Sequence, residues 1–96
     1  MKKITHNGKD ILIVNIGGNY FAMTNTCTHA GEDLSKGVLD GKIVKCPKHG
    51  SRFDVTTGKL ISGPKILFLT LKVKDESSFP VKIDGNDVLI DLGSAN

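Results

Sequence analysis

The stretch CTHAGEDLSKGVLDGKIVKCPKH, residues 27–49, contains both cysteines of the chain and two of its three histidines. Each cysteine is followed closely by a histidine, Cys27 by His29 and Cys46 by His49, and 16 residues separate the two pairs. Thiolate and imidazole are both good ligands for transition metals. The pattern therefore predicts two short loops that each carry one sulfur ligand and one nitrogen ligand.

The segment between the two pairs explains how they would meet. Asp40-Gly41 lies within it, and this dipeptide is favoured in type I′ hairpin turns because both central residues adopt positive φ there. A turn on these two residues would pair residues 38–39 with residues 42–43 as neighbouring strands. The two loops would then lie side by side at the open end of the hairpin, with all four ligands directed at one site.

Short apolar stretches separated by turn residues dominate the rest of the chain, and no segment shows a sustained helical period. At most one helical turn is expected, within GEDLSK. We therefore predict an all-β, antiparallel sandwich or barrel that forms a single domain. Hairpins are predicted around Asn7-Gly8, Gly17-Gly18, residues 56–58 and residues 84–86, and one long strand is predicted over residues 65–74.

Composition restricts the classes of function. With 39% hydrophobic and 24% charged residues, the chain has the balance of a soluble domain. Its longest apolar-rich run, ILFLTL from Ile66, is too short to span a bilayer, so no membrane anchor is expected. No apolar region follows the N-terminal lysines, which predicts a cytoplasmic protein with reduced thiols. The 13 basic residues are scattered and aromatics make up 5%, so no nucleic-acid surface is predicted.

Several kinds of site could use these four side chains. A zinc ion accepts thiolate and imidazole together, a Cys–His pair could act as a nucleophile and its base, and two buried cysteines could be purely structural. Structural zinc commonly takes two thiols from one arm and two imidazoles from the other. One ligand of each kind from each loop suits two metals better. A [2Fe–2S] cluster with two cysteines on one iron and two histidines on the other has this arrangement.

The chain resembles the Rieske-type ferredoxins, whose pattern is Cys-x-His followed, after a spacer, by Cys-x-x-His. The surrounding CTHAG and CPKHGSRFDVTTGK also agree with that family, and the resemblance is strong over residues 20–64. It implies a β-sandwich or barrel-like base with a small cluster-binding β subdomain at about residues 26–64 of a single domain spanning residues 1–96. The implied ligands are Cys27 and Cys46 on the buried iron, and His29 and His49 on the outer iron.

The resemblance also assigns neighbouring residues. Ser51 matches a serine whose hydroxyl donates to a bridging sulfide in respiratory members, whereas Phe53 stands where those proteins have a second donor, a tyrosine. Glu32 and Lys48 occupy the positions of two further cysteines that form a disulfide there. We therefore expect a reduction potential in the lower to middle part of the range of such centres, about −150 to +300 mV. The other residues expected around the cluster are Ala30, Gly31, Gly50 and Pro64.

The predicted function is one-electron transfer without catalysis. Two ferric irons, two sulfides and two thiolates sum to zero, so reduction of a site with neutral imidazoles reaches only one negative charge. By resemblance, electrons would come from a flavin-containing NAD(P)H reductase and pass to a terminal redox enzyme such as an oxygenase. The chain itself is not expected to be an oxygenase, because the mononuclear iron of such enzymes needs two histidines and a carboxylate and only His6 remains unassigned. Residues 27–64 carry six basic and four acidic residues, a net charge of +2 that does not select an acidic partner.

Overall fold

The computed structural model describes residues 1–27, 31–48, 50–63, 65–66, 69–70 and 74–92. One 3₁₀ helix, Leu34–Lys36, confirms the expected single helical turn, and no helix in the described part of the chain is long and apolar enough to cross a membrane. The strands are β1 (Lys2–His6), β2 (Lys9–Ile16), β3 (Asn19–Thr24), β4 (Val38–Asp40), β5 (Ile43–Lys45), β6 (Arg52–Asp54), β7 (Leu60–Ser62), β8 (Lys65–Ile66), β9 (Leu69–Thr70), β10 (Ser78–Phe79), β11 (Val81–Asp84) and β12 (Asp87–Ile90).

The base sheet has the strand order β1-β2-β3-β10 and is antiparallel throughout. Two tight turns build it. Asn7 and Gly8, with φ of 50° and 75°, join β1 to β2, and Gly17 and Gly18, with φ of 59° and 91°, join β2 to β3. Positive φ at both central residues is the requirement of a type I′ turn. Both predicted hairpins are confirmed.

The second sheet has the strand order β4-β5-β6-β7. Its strands alternate, so that one face is buried and the other faces solvent. Val44 and Phe53 lie opposite each other on the buried face, and both are fully buried. They belong to the same core cluster as Leu34 and both cysteines, Cys27 and Cys46. The core of this sheet is therefore continuous with the surroundings of the cysteines.

The turn between β4 and β5 differs from the prediction. Asp40 pairs with Ile43, so Gly41 and Lys42 occupy the two central positions. Of these two, only Gly41 has a positive φ, 60°, which is the pattern of a type II′ turn with glycine at its first central position. The predicted type I′ turn on Asp40-Gly41 is wrong, because a single glycine is sufficient for the type II′ turn. The hairpin still brings the start of β4 next to the end of β5.

The predicted long strand over residues 65–74 is also wrong. Lys65 pairs with Thr70 and Ile66 pairs with Leu69, so β8 and β9 form a short hairpin. The residues from Ile66 to Leu69 are all apolar and do not alternate with polar ones. The sequence thus lacks the period of two that keeps one face of a long strand buried.

The remaining hairpins agree with the predictions. β6 and β7 pair across the residues that follow Asp54, with a β-bulge in β7. β11 and β12 pair from Val81 opposite Ile90 to Asp84 opposite Asp87. Every strand pairing in the described residues is antiparallel. The predicted all-β antiparallel fold is therefore confirmed.

Candidate metal centre

Loop one, residues 27–32, leaves the base sheet shortly after β3. The N–H of Cys27 donates to the carbonyl of Glu32 at 2.8 Å, and the N–H of Gly31 donates back to the carbonyl of Cys27 at 2.9 Å. Gly31 has a φ of 67°, in the left-handed region that glycine adopts without strain. These bonds join the two ends of loop one, Cys27 at its start and Gly31 and Glu32 at its end.

Loop two, residues 46–51, connects β5 to β6. The N–H of Cys46 donates to the carbonyl of Ser51 at 2.7 Å. Gly50, the residue before this carbonyl, has a φ of 73°. The two loops therefore share one backbone frame, in which a cysteine N–H bonds to the carbonyl five residues later and a left-handed glycine precedes the closing residue.

The two cysteines meet in the core. Cys27 is 2% exposed and Cys46 is 1% exposed, and neither forms a disulfide. Burial, together with the contact with the Cys27 thiol, raises the pKa of the Cys46 thiol to about 11, although a hydrogen bond from the N–H of Lys48 acts in the opposite direction. Metal ligation deprotonates such thiols. The structure thus brings together the two predicted sulfur ligands.

Loop two contains a buried hydroxyl that no atom of the described residues pairs with. Ser51 is fully buried, and its Oγ has no hydrogen-bond partner among the described residues. An unpaired buried hydroxyl costs free energy unless an acceptor reaches it. Two adjacent thiols and an orphaned hydroxyl donor in the same loop pair fit an iron–sulfur cluster, whose sulfur atoms accept hydrogen bonds. Phe53, two residues further on, is fully buried and has no polar atom to contribute.

Polar side chains that flank loop one connect it to the base sheet. The buried Asn25 donates from Nδ2 to Asp33 Oδ1 at 2.6 Å and accepts from the N–H of Ser35 at 3.0 Å. Asp33 caps the 3₁₀ helix through Ser35, and Lys3 of β1 reaches the other carboxylate oxygen at 2.9 Å. Hydrogen bonds from Ser35, Asn25 and Lys3 hold the pKa of the Asp33 carboxyl well below its usual range. Both ends of loop one are thus tied to each other and to the base sheet.

The sequence did not identify Asn25 and Asp33 as supports of the site. One signal was available for Asp33, because aspartate followed two residues later by serine at the start of DLSK is typical of a helix N-cap. Asn25 carried no such signal, since its partners lie across the loop and become its neighbours only in the folded chain.

The other predicted site residues have mixed outcomes. His29, Ala30, His49 and Pro64 lie outside the described residues. Lys48 is exposed and Glu32 is partly buried. These two side chains, both within the described part of the chain, form no ion pair with each other, which agrees with two independent surface charges in place of a loop-to-loop link.

Comparison with known proteins gives consistent results. The family described as Rieske [2Fe-2S] domain matches residues 1–72. The chain is 38% identical, over 93% of its length and 79% of the relative, to the ferredoxin component of the naphthalene 1,2-dioxygenase system of Pseudomonas aeruginosa. It is also 38% identical, over 96% of its length and 79% of the relative, to the ferredoxin component of biphenyl 2,3-dioxygenase of Rhodococcus jostii (strain RHA1).

The fold gives the same result. A chain in the complex of reduced oxygenase and oxidized ferredoxin in carbazole 1,9a-dioxygenase superimposes with a TM-score of 0.81 at 28% identity, over 94% of this chain and 86% of that one. The family match extends well beyond half of the chain, and the two curated relatives cover most of its length. The chain therefore belongs to the Rieske [2Fe–2S] domain family, as an electron-carrying ferredoxin and not as an enzyme.

Proposed function

We propose that Cys27 and Cys46 bind one iron of a [2Fe–2S] cluster and that His29 and His49 bind the other. The observation that carries this proposal is the buried Ser51 hydroxyl in loop two, which has no hydrogen-bond partner among the described residues and shares its loop with Cys46, whose thiol contacts that of Cys27. The family match supports the cluster itself, and the spacing of the histidines supports their role as the remaining ligands. The ligand set belongs to a cluster-binding part at about residues 26–64 within a single domain.

A bound cluster would supply one-electron chemistry, and the surrounding residues of the chain would set its reduction potential. Buried thiolates on one iron place the added charge in a region of low dielectric constant, where each nearby donor matters. Ser51 would donate its hydrogen bond to a cluster sulfur and so stabilise the reduced state. Phe53 offers no second donor, so the potential would lie in the lower to middle part of the range of such centres.

The partners we propose follow from the relatives. Their names describe ferredoxin components of dioxygenase systems, and a ferredoxin of this fold occurs in a complex with an oxygenase. We infer that this chain accepts electrons from an NAD(P)H-dependent flavoprotein reductase in the cytoplasm and delivers them to a terminal oxygenase or a similar redox enzyme.

Substitution of the orphaned hydroxyl tests the proposed cluster site. Ser51→Ala should lower the reduction potential by roughly 40–130 mV, because a hydrogen bond that favours the reduced state by about 1–3 kcal/mol is lost. Voltammetry of the purified protein measures this shift, and Ser62→Ala on β7 is the matched control, expected to leave the potential unchanged. An unchanged potential in Ser51→Ala would contradict the assignment of the hydroxyl.

A zinc site in the same four ligands is the rival from another class. A purified sample with the cluster is red-brown and bleaches with dithionite, and its reduced form gives a low-temperature EPR signal. Zinc has no redox chemistry, so a colourless protein without that signal and with one zinc per chain would remove the electron-transfer proposal.

A further inference from the structure

The outer face of the second sheet carries an unfavourable pair of like charges. Lys45 on β5 lies directly opposite Arg52 on β6, and both side chains are exposed. Like charges in directly opposed positions destabilise an antiparallel sheet. The two neighbouring positive charges on this face therefore repel each other, and neither has an ion-pair partner among the described residues.

Apolar side chains flank this pair. Val38 on β4, which lies opposite Lys45 of β5, is 63% exposed, and Ile61 on β7 is 54% exposed. Arg52 pairs with Ser62 while the next residue of β6 pairs with Leu60, so Ile61 is the extra residue of a β-bulge. A bulge redirects a side chain, and this one coincides with an isoleucine that lies mostly in solvent.

These residues line one groove. Its volume is about 420 Å³, and its lining is Val38, Asp40, Ile43, Lys45, Arg52 and Ile61. Among the described residues of that lining, Asp40 is the one carboxylate, against two cations. We call this surface the cationic face.

The cationic face is continuous with loop two. A Cβ on Gly50 would lie 3.2 Å from Lys45 Cε, so the Lys45 side chain extends over the loop. A smaller groove of about 220 Å³ connects Val38 and Lys45 to Cys46 and Pro47, and Lys36 also lines it. A partner seated on this face would therefore also contact the loop that carries a proposed iron ligand.

We propose that the cationic face is the docking surface for a redox partner that presents an apolar contact flanked by carboxylates. Val38 and Ile61 supply the apolar contact, and Lys36, Lys45 and Arg52 face the partner's carboxylates. Asp40 is the one carboxylate among the described residues that line the two grooves. Charge complementarity of this kind steers association and fixes orientation. This proposal rests on the proposed electron-transfer function and names the chemistry of the partner.

The test uses two protein probes of opposite charge. Flavodoxin, an acidic flavoprotein, donates one electron from its reduced flavin to the oxidised ferredoxin, and cytochrome c, a basic protein, accepts one electron on its ferric haem from the reduced ferredoxin. In the double variant Lys45→Glu/Arg52→Glu, the second-order rate constant with flavodoxin should fall at least tenfold at low ionic strength, whereas the rate constant with cytochrome c should rise. Both changes should diminish as salt is added.

Matched variants separate local from global effects. Lys2→Glu/Lys82→Glu makes the same change in net charge at two exposed lysines outside the cationic face and should alter each rate constant less than threefold. Val38→Ser/Ile61→Ser should weaken the flavodoxin reaction without the dependence on salt. The proposal is overturned if both probes respond in the same direction, if the control variant matches the effect of the double variant, or if the wild type shows no reaction with flavodoxin.

A binding measurement distinguishes this proposal from the proposed function. Titration calorimetry with oxidised flavodoxin needs no electron transfer, and Lys45→Glu/Arg52→Glu should raise the dissociation constant at least tenfold while Lys2→Glu/Lys82→Glu leaves it unchanged. Unchanged binding in the first variant overturns the docking surface even when the cluster is present. A sample without the absorption and EPR signals of the cluster overturns the proposed function even when the binding contrast holds.

Discussion

Loop one is fixed from behind by polar side chains, whereas loop two is fixed by the strands that enter and leave it. Asn25 and Asp33 connect the two ends of loop one to each other and to β1. Loop two follows β5 directly and leads into β6, and Lys45 pairs with Arg52 across its base. The same backbone frame is thus held by charge-assisted hydrogen bonds in one loop and by a β-ladder in the other.

The difference predicts different responses. Hydrogen bonds to a carboxylate depend on its ionisation, whereas a β-ladder does not change with pH in the same way. Loop one should therefore respond to acid and to removal of charged partners. Loop two should respond chiefly to steric damage of its two strands. The variants below separate these two responses.

The largest effect is expected at Gly37, which lies between the 3₁₀ helix next to loop one and the strand β5 that leads into loop two. Gly37 follows the 3₁₀ helix, and a Cβ there would lie 2.0 Å from the carbonyl oxygen of Lys45. Because the atoms that this Cβ would meet, in Lys45 and Leu34, all belong to the backbone, Gly37→Ala must displace β5 or the helix, and we expect a loss of at least about 3 kcal/mol in the free energy of unfolding. Urea denaturation measures this loss.

Gly41→Ala is the control in the same hairpin. Gly41 has a φ of 60° and no atom within 4 Å of the added Cβ, so the cost should be limited to about 1–2 kcal/mol of backbone strain. Equal losses in the two variants would show that the contact between Gly37 and Lys45 does not support the loops.

Asn25→Ala should weaken loop one selectively. It removes the 2.6 Å bond to Asp33 and one acceptor for the Ser35 N–H, and because the site is buried we expect a loss of about 2–3 kcal/mol. Hydrogen–deuterium exchange of peptides from each loop provides the measurement, with faster exchange expected at Cys27 than at Cys46. Asn15→Ala, which removes an exposed bond to the Gly18 N–H, should leave both loops unchanged. Equal acceleration in both loops would contradict the comparison.

Acid should open loop one before loop two. The pKa of Asp33 is depressed in the folded state by bonds from Ser35, Asn25 and Lys3, so its contribution to stability is present above its unfolded pKa of about 3.9 and is lost as the pH falls below that value. Asp33→Asn should lose about 1 kcal/mol at neutral pH and should show a weaker loss of stability between about pH 5 and pH 3. Urea denaturation across this range checks the slope, and parallel curves for variant and wild type would refute the role of the carboxylate.

Asp54 on β6, in the second sheet, is another carboxylate whose pKa is lowered by its neighbours. Burial would raise the pKa of Asp54, but the hydroxyl and N–H of Thr56 and the ammonium of Lys42 lower it overall. Its contribution to stability is lost in the same direction of pH. Asp54→Asn therefore serves as the counterpart variant. It should destabilise the turn between β6 and β7, whereas the amides of loop one should keep their protection from hydrogen exchange.

Lys3→Met should have the smallest effect. The ion pair with Asp33 measures 2.9 Å, but the Lys3 side chain is 39% exposed, and water and salt screen the charges of such pairs so that they contribute little to stability. Thermal unfolding should show a small decrease that disappears at high salt. Lys2→Met, at a neighbouring lysine without an ion pair among the described residues, should show no change. A decrease that persists in high salt would point to packing of the lysine stem instead.

Much of the fold could be predicted because local turn chemistry determines it. Asn7-Gly8 and Gly17-Gly18 adopt the positive φ that their composition favours. The turn at Gly41 could not be predicted in register, because a glycine can occupy either central position and the choice depends on how β5 then pairs with β6. A displacement of one position moves every side chain of the hairpin relative to its neighbours.

The candidate site could be predicted in its ligands more readily than in its supports. Cys27 and Cys46 were identified by spacing, and the structure places their thiols in contact. Asn25 became recognisable only through its contacts, because a single asparagine carries no periodic signal. The pairing of Lys45 with Arg52 depends on the register between β5 and β6, which the sequence does not specify, so the cationic face was not predicted.

The pairing of β3 with β10 has a consequence for how the chain folds. Met23 pairs with Ser78 and Ala22 with Phe79, while the other strand pairings in the described residues join strands that follow one another along the sequence. Hairpins form in microseconds, whereas two strands that are far apart in the sequence pair only after the entropy cost of closing the long loop between them has been overcome. We expect β10 to join the base sheet late, after both cysteine-bearing loops have formed inside the segment that it encloses. The rate-limiting barrier should then be more sensitive to Phe79→Leu than to changes within either loop.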